Sequence, residues 1–151
     1  MEIFRGLESY PPDRPPSVGA LGTFDGIHLA HQKILTTATE RARALGLCAV
    51  VCTFEPHPLK VLQPDRAPTP IMDLADKLEL MSRHGLDAAV VVPFTHEFSR
   101  IEAEDFVAEV LAGILRAREV VVGFNHTFGR GARGTPALLQ EWGARAGYAV
   151  H

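Results

Sequence analysis

The sequence has little cysteine, no long apolar run and no excess of positive charge, and each shortage excludes a class of protein. Only Cys48 and Cys52 occur among 151 residues, too few for a disulfide-stapled scaffold. No stretch reaches the roughly eighteen consecutive apolar residues of a membrane-spanning helix, and the first residues lack the pattern of a signal peptide. Lys and Arg number 15 against 18 Asp and Glu, so the formal net charge of −3 gives no overall basic footprint for nucleic acid. We therefore expect neither a nucleic-acid nor a membrane partner.

The two cysteines lie four residues apart in an apolar run that is typical of a buried strand. Both side chains then point to the same face of that strand, in a geometry that does not favour a disulfide. We expect two reduced core thiols, which is typical of a cytoplasmic protein.

Four short runs, rich in Val, Ala and Cys, dominate the rest of the chain: 17–24, 47–54, 88–94 and 118–124. Each run is continuously apolar, as in parallel strands that are covered on both faces. A fifth strand is predicted to start at Tyr148. The 16 residues before the first run contain four prolines and are predicted to be an edge piece or a surface arm.

Helical patterns separate these runs. Apolar residues recur every three or four positions in 34–45, 74–81 and 106–114, and Gly85 is a stop signal after the second of these segments. Thr135 and Pro136 are the predicted cap and first residue of a last helix. The sequence therefore predicts one α/β domain over residues 1–151: a Rossmann-like doubly wound parallel sheet of about five strands, with helices on both faces.

Polar loops rich in Gly or Pro follow three of the predicted strands, at 22–31, 54–58 and 123–134. Ligands of doubly wound folds bind outside the carboxyl ends of the strands, near the point where strand order reverses. We therefore expect these three loops to converge on one site.

The first loop has the residues for binding a polyphosphate. Gly22 and Gly26 allow close backbone approach, and Asp25-Gly26 makes a tight turn into a helix whose first N–H groups lack intrahelical partners. His28 and His31, three residues apart, can share one side of the first turn and stabilise charge on phosphate oxygens. Alternatively, one histidine supports the helix start and the other is solvated. A zinc site is disfavoured because the spacing is three and no third ligand lies nearby, so no metal ligands are predicted.

The loop is neither a Walker motif nor a G-x-G-x-x-G fingerprint. The string from Gly22 to His31 instead resembles the signature of the nucleotidylyltransferase superfamily, whose core is H-x-G-H. More narrowly, the chain is similar to the adenylyltransferase (FAD synthetase) module of prokaryotic bifunctional riboflavin kinase/FMN adenylyltransferases. The similar segments follow the family's order over nearly the whole chain: 22–35, 53–58, 64–68, 93–106 and 122–134.

This resemblance implies adenylylation of FMN: the FMN phosphate attacks the α-phosphorus of ATP, which carries Mg²⁺, and gives FAD and pyrophosphate. Residues with implied roles fall into three sets. The catalytic set is His28, His31 and Asn125; the nucleotide-binding set is Gly22, Thr23, Phe24, Asp25 and Gly26; the flavin-binding set is Phe54, His57, Pro58, Phe106 and Phe128. Phe54 and Phe106 also fit core positions, whereas a Gly-rich loop makes core packing less natural for Phe128. Arg130 and Arg133 suit either a phosphate or an ordinary basic surface loop.

Two departures from the family pattern qualify the resemblance. Ala30 replaces the glycine of the histidine motif, which is sterically acceptable if the backbone there is helical, although the methyl group narrows the approach of a nucleotide. The printed chain also ends at His151, before the family's Ser/Thr-Arg segment and the linked riboflavin kinase domain. We therefore expect a C-terminally incomplete domain, with two alternatives: a non-catalytic fragment that binds ATP or flavin, or a nucleotidylyltransferase with another phosphate acceptor.

Overall fold

The computed structural model describes residues 1–24, 29–67, 69, 72–123 and 126–151. In this part of the chain, six parallel strands form one sheet in the order β1-β4-β3-β2-β5-β6. The strands are β1 (Glu2–Arg5), β2 (Ser17–Leu21), β3 (Cys48–Glu55), β4 (Ala88–Pro93), β5 (Ala117–Val121) and β6 (Ala149–Val150). The α/β class and the parallel sheet are confirmed.

The continuously apolar runs form the inner strands. Every residue of β2 is buried, as are the first seven of the eight residues of β3, because helices cover both faces of the sheet. The sequence predicts about five strands after an edge piece or surface arm, and the sixth strand, β1, is part of that segment and pairs with β4 at the sheet edge. That strand is four residues long and largely exposed, so it carries no apolar run that would reveal it.

The helices lie on both faces of the sheet, as predicted. One face carries α1 (Leu29–Leu45) and α3 (Leu74–Ser82), whose buried residues pack with Val18 and Ala20 of β2. The other carries α4 (Ala103–Asp105), which continues as a π-helix (Phe106–Ile114), and α5 (Pro136–Ala146). The segment between β3 and α3 contains the short helix α2 (Pro58–Leu62) and a 3-10 turn (Pro64–Arg66).

Local signals explain the ends of two helices. The Thr135 hydroxyl accepts a hydrogen bond from the N–H of Leu138 at 3.2 Å, and Pro136 is the first residue of α5, as predicted. Gly85, predicted as the stop after α3, has a φ of 79°, a left-handed conformation that costs glycine little.

Both cysteines are buried free thiols, and both belong to the core on the α5 side of the sheet, as their spacing predicts. Within the described ranges, no helix is both long enough and apolar enough to cross a membrane.

The strand order creates a crevice beside β2. From β2 the chain moves outward through β3 to β4, and then returns to the opposite side of β2 to form β5 and β6. The carboxyl ends of β2 and β5 therefore flank the point where the strand order reverses, where doubly wound folds bind ligands. The loops after these two strands are the predicted phosphate loop and the predicted Asn125 loop.

Candidate functional site

In chain order, the sequence-predicted site residues follow β2, lie at or just after the end of β3, and follow β4 and β5. Four of them, Asp25, Gly26, His28 and Asn125, lie outside the described residues. The geometry of the site is therefore built from the remaining members: Gly22, Thr23, Phe24, His31, Phe54, His57, Pro58, Phe106 and Phe128.

Packing against the sheet fixes the described start of the first loop. The Gly22 N–H donates to the Cys52 carbonyl at 3.3 Å, and the Phe24 ring is fully buried although its backbone has a φ of 54°. A Cβ on Gly22 would lie 3.0 Å from that ring, so only glycine fits there without displacing Phe24.

His31, in the first turn of α1, packs edge-on against Phe24, with ring centroids 5.4 Å apart. The ring is partly exposed, and its Nδ1 is buried. Ala30, the second residue of α1, is helical and exposed, which meets the steric condition for alanine in place of the family's glycine.

A buried lysine joins the first loop to the neighbouring strand. The Lys77 ammonium donates to the Thr23 carbonyl at 2.9 Å and lies 3.4 Å from the Thr53 hydroxyl, which itself donates to the same carbonyl at 3.1 Å. Lys77 is only 6% exposed. Sequence reasoning missed it, although a signal exists: Leu74, Lys77, Leu78 and Met81 follow the spacing of one buried helix face, and a lysine in such a stripe is unusual.

A cavity of about 210 Å³ opens beside this lysine. Its walls bring together residues from the first and second predicted loops, with Thr23, Phe54 and His57 among them. Lys77 and Lys60 add positive charge to the lining, whereas Glu55 and Asp73 add negative charge. The cavity thus combines an aromatic wall with ionic groups, as small-molecule sites commonly do.

The Pro-His-Pro segment has a structural role at the mouth of β3. Nδ1 of His57 accepts a hydrogen bond from the Leu59 N–H at 3.1 Å and so caps α2, while Pro58 is the first residue of that helix. The bond between Glu55 and Pro56 is cis. Because Nδ1 is the acceptor, the neutral ring has its proton on Nε2, which is left as a donor.

An aromatic cluster extends from the cavity wall across the α5 side of the sheet. Its members are Phe54, Phe94, Phe98, Phe106 and Phe128, with neighbouring ring centroids 5.4 to 6.4 Å apart. Phe106 is 1% exposed, and Phe128 is 7% exposed. The expectation that Phe128 fits the core poorly was wrong, because its loop folds the ring onto Phe106.

Glycines make this fold of the loop possible. Phe128 and Gly134 exchange two backbone hydrogen bonds, of 3.2 and 2.8 Å. A Cβ on Gly134 would lie 2.6 Å from the Phe128 ring, and one on Gly129 would lie 2.7 Å from Cα of Ala103. The sequence Gly129-Arg-Gly131-Ala-Arg-Gly134 spells G-x-G-x-x-G, but its first and last glycines are explained by packing.

The two arginines of this loop are exposed beside one carboxylate. Arg130 lies 3.5 Å and Arg133 3.8 Å from Glu102. Ion pairs between exposed side chains are weak. Both guanidinium groups therefore remain accessible to an anion.

His126 adds a further ring to the aromatic cluster. Its ring stacks on Phe128 with centroids 6.0 Å apart and planes 19° apart. Burial lowers the pKa of His126 to about 4, so the ring is neutral at pH 7. Its Nε2 is buried and has no hydrogen-bond partner among the described residues.

Comparison with known proteins matches the fold and nearly the whole sequence. In a crystal structure described as a macrolide-efflux protein from Streptococcus pneumoniae, 49% of the chain superposes on 99% of this one, with a TM-score of 0.82 and 26% identity. Two curated relatives are called bifunctional riboflavin kinase/FMN adenylyltransferase. The protein from Escherichia coli K12 is 31% identical, and the match covers 99% of this chain and 48% of the relative. The protein from Bacillus subtilis 168 is 37% identical, and the match covers 85% of this chain and 41% of the relative. The chain thus spans about half the length of these relatives. The family model for FAD synthetase matches residues 11–151, and the chain belongs to the FAD synthetase family.

Proposed function

We propose that this chain is an FMN adenylyltransferase. One phosphate oxygen of FMN forms a bond to the α-phosphorus of ATP, the bond from that phosphorus to the β-phosphate bridging oxygen breaks, and pyrophosphate leaves. The observation that carries the proposal is that Thr23 and Phe24, which follow β2, lie beside the cavity and aromatic cluster that begin at Phe54, with the His31 ring packed on Phe24. The loop after β2 suits a polyphosphate and the aromatic cluster suits a flat apolar ring, and both lie at the same edge of the sheet.

In this proposal the first loop holds the ATP phosphates. Gly22, Thr23, Phe24, Asp25 and Gly26 form the backbone cradle. His28 and His31 donate hydrogen bonds to phosphate oxygens, on which charge accumulates during transfer, and Asn125 binds phosphate from the β5 side. Mg²⁺ enters with ATP as part of the substrate. The FMN phosphate is already anionic, so alignment contributes more than general-base catalysis.

The flavin is proposed to bind at the aromatic cluster, through Phe54, Phe106 and Phe128. His57 and Pro58 border the same strand end, and the cap that His57 supplies to α2 keeps both residues in place. Phe54 belongs to both regions, since it lines the cavity and contacts Phe94 and Phe98. It therefore connects the proposed nucleotide and flavin subsites.

The names of the relatives join this activity to riboflavin kinase. We propose that the natural polypeptide likewise links residues 1–151 to a riboflavin kinase domain and works in the cytoplasm. The two buried thiols fit a reducing compartment.

Product formation tests the proposed function. The chain is incubated with FMN and Mg-ATP, and FAD and pyrophosphate are measured together. Equal amounts of the two products are expected. Binding of both substrates without FAD would favour a binding module, and transfer only to other phosphate monoesters would favour another acceptor.

Histidine variants test the proposed mechanism. His28→Ala and His31→Ala should each raise the barrier to FAD formation by about 2 to 4 kcal/mol, the effect of losing one preorganised donor to a developing negative charge. His84→Ala is the matched control, because His84 follows α3 at the opposite edge of the sheet and its Nδ1 contacts the Leu80 carbonyl at 2.8 Å. Steady-state kinetics give the comparison, and normal turnover in both site variants would exclude these histidines from the mechanism.

A further inference from the structure

We propose that Lys77 is a positioning residue for ATP, holding the loop after β2 in the conformation that binds the triphosphate. The inference rests on the proposed function of that loop. It starts from a buried ammonium group that contacts the loop backbone from a distant helix, 54 residues away in sequence.

Three elements meet at Lys77. The Thr23 carbonyl belongs to the loop after β2, Thr53 is a fully buried residue of β3, and Lys77 lies on α3. Their bonds converge on one atom, because both the ammonium and the Thr53 hydroxyl donate to the Thr23 carbonyl oxygen. That oxygen is thereby held toward β3 and α3.

Peptide planarity carries this constraint into the loop. In a trans peptide the carbonyl and the following N–H point in opposite directions, so holding the Thr23 oxygen also sets the direction of the Phe24 N–H. The next residues are the predicted Asp25-Gly26 turn. Phosphate-binding loops depend on the directions of consecutive backbone N–H groups, so a constraint at this peptide acts on anion binding.

Helix packing alone does not account for a lysine here. The stripe of α3 needs an apolar side chain between Leu74 and Met81, and a methionine would fill the space without burying a charge. Burying an ammonium costs free energy unless it is well hydrogen-bonded. The lysine adds what methionine lacks: donors for the loop carbonyl, and a positive charge beside the loop proposed to receive a polyanion.

The test compares ATP and FMN binding in four variants by calorimetry, with Mg-ATP and FMN titrated separately. Lys77→Met removes the ammonium at similar length, Lys77→Arg keeps charged donors, and Thr53→Val removes the hydroxyl at nearly constant shape. Leu78→Ala is the stability control, since Leu78 is a buried neighbour on the same helix that packs in the core. All measurements are made well below each variant's melting temperature.

We expect Lys77→Met to weaken ATP binding about ten- to a hundredfold, the scale of a lost hydrogen bond from a charged group, with FMN binding within about twofold of the original chain. Lys77→Arg should recover part of the affinity, and Leu78→Ala should leave both affinities unchanged. A ligand-selective loss with recovery by arginine is not produced by general destabilisation.

A folded Lys77→Met variant that binds ATP as well as the original chain would overturn the inference. If that variant does not fold, Thr53→Val decides in the same way: weaker ATP binding supports the positioning role, and unchanged binding refutes it. Failure of the original chain to bind ATP would instead refute the proposed function, and the inference with it.

Discussion

Phe128 combines a proposed flavin contact with a packed position in the aromatic cluster. Its ring is 5.4 Å from that of Phe106, and truncation to alanine would open a cavity that costs about 3 to 5 kcal/mol of stability. A substitution that retains apolar volume separates the two roles.

Phe128→Leu should therefore weaken FMN binding by roughly 1 kcal/mol, the contribution of aromatic contact beyond buried area, and leave ATP binding unchanged. Phe94→Leu makes the same exchange elsewhere in the cluster, at a position with no proposed flavin contact. Calorimetry with each ligand measures the difference. An equal loss of FMN affinity in both variants would show that cluster packing, and not the Phe128 ring, supports the flavin.

Part of the site could be predicted residue by residue. Thr23, Phe54 and His57 lie at or just after the carboxyl ends of buried strands, and parallel strands bring those ends to one edge, so the grouping of these three residues follows from the sequence. Lys77 could not be assigned in this way, because its partner is a backbone carbonyl 54 positions away. The burial of Phe128 was missed for a similar reason, since it depends on a tertiary contact between Gly129 and Ala103.

At the scale of elements, the loop from His126 to Gly134 packs against α4 at Gly129, where there is no room for a side chain. Gly129 has a φ of 76° and a ψ of 178°, a region used essentially by glycine alone, and an added Cβ would lie 2.8 Å from the backbone N of Ala103. The Arg130 N–H beside it donates to the Ile101 carbonyl at 2.7 Å.

Gly129→Ala should lower the free energy of unfolding by about 2 to 4 kcal/mol, since backbone strain adds to steric overlap. Gly46→Ala is the matched control: Gly46 has a φ of 67°, but no atom lies within 4 Å of an added Cβ, so only the strain of about 1 to 2 kcal/mol applies. Urea denaturation of both variants gives the comparison. Equal losses would mean that α4 moves aside without cost.

The elements themselves were predictable to different degrees. The inner strands were found because both faces are covered, which produces apolar runs such as residues 48–52 of β3. For residues 1–16 the sequence predicts an edge piece or a surface arm without defining a strand, because an exposed edge strand such as β1 needs no such run. The stripe from Phe106 to Ile114 predicts an α-helix, whereas the segment is a π-helix, whose different hydrogen bonding still buries the stripe's first four apolar residues.

The stability of the whole molecule should respond to acid through His126. Burial lowers the folded-state pKa of this ring to about 4, against roughly 6.5 for an unfolded histidine. Below pH 6.5 the unfolded chain binds a proton that the folded chain does not, so this group destabilises the fold increasingly as pH falls toward 4, and has no such effect above about pH 7.

His126→Phe retains a ring for stacking on Phe128 and removes the titration. The stability difference between this variant and the original chain should shift in the variant's favour by up to about 3 kcal/mol between pH 7 and pH 4. Chemical denaturation at several pH values measures it. Because all other titrating groups are common to both proteins, a difference that stays constant with pH would place His126 in a more solvated setting.

The buried thiols of β3 allow the opening of the sheet to be timed without any introduced label. Cys48 lies at the amino end of the strand, 7% exposed and 3.3 Å from the Arg14 guanidinium, whereas Cys52 lies near the cavity end, fully buried, with its pKa raised to about 12. Alkylating reagents attack an accessible thiolate, so neither sulfur can react at an appreciable rate until its part of the strand leaves the core. The relative modification rates of the two sulfurs would then report whether β3 frays from one end or separates as a unit, and slower modification of Cys52 in the presence of ATP or FMN would measure how strongly a ligand closes the carboxyl edge of the sheet.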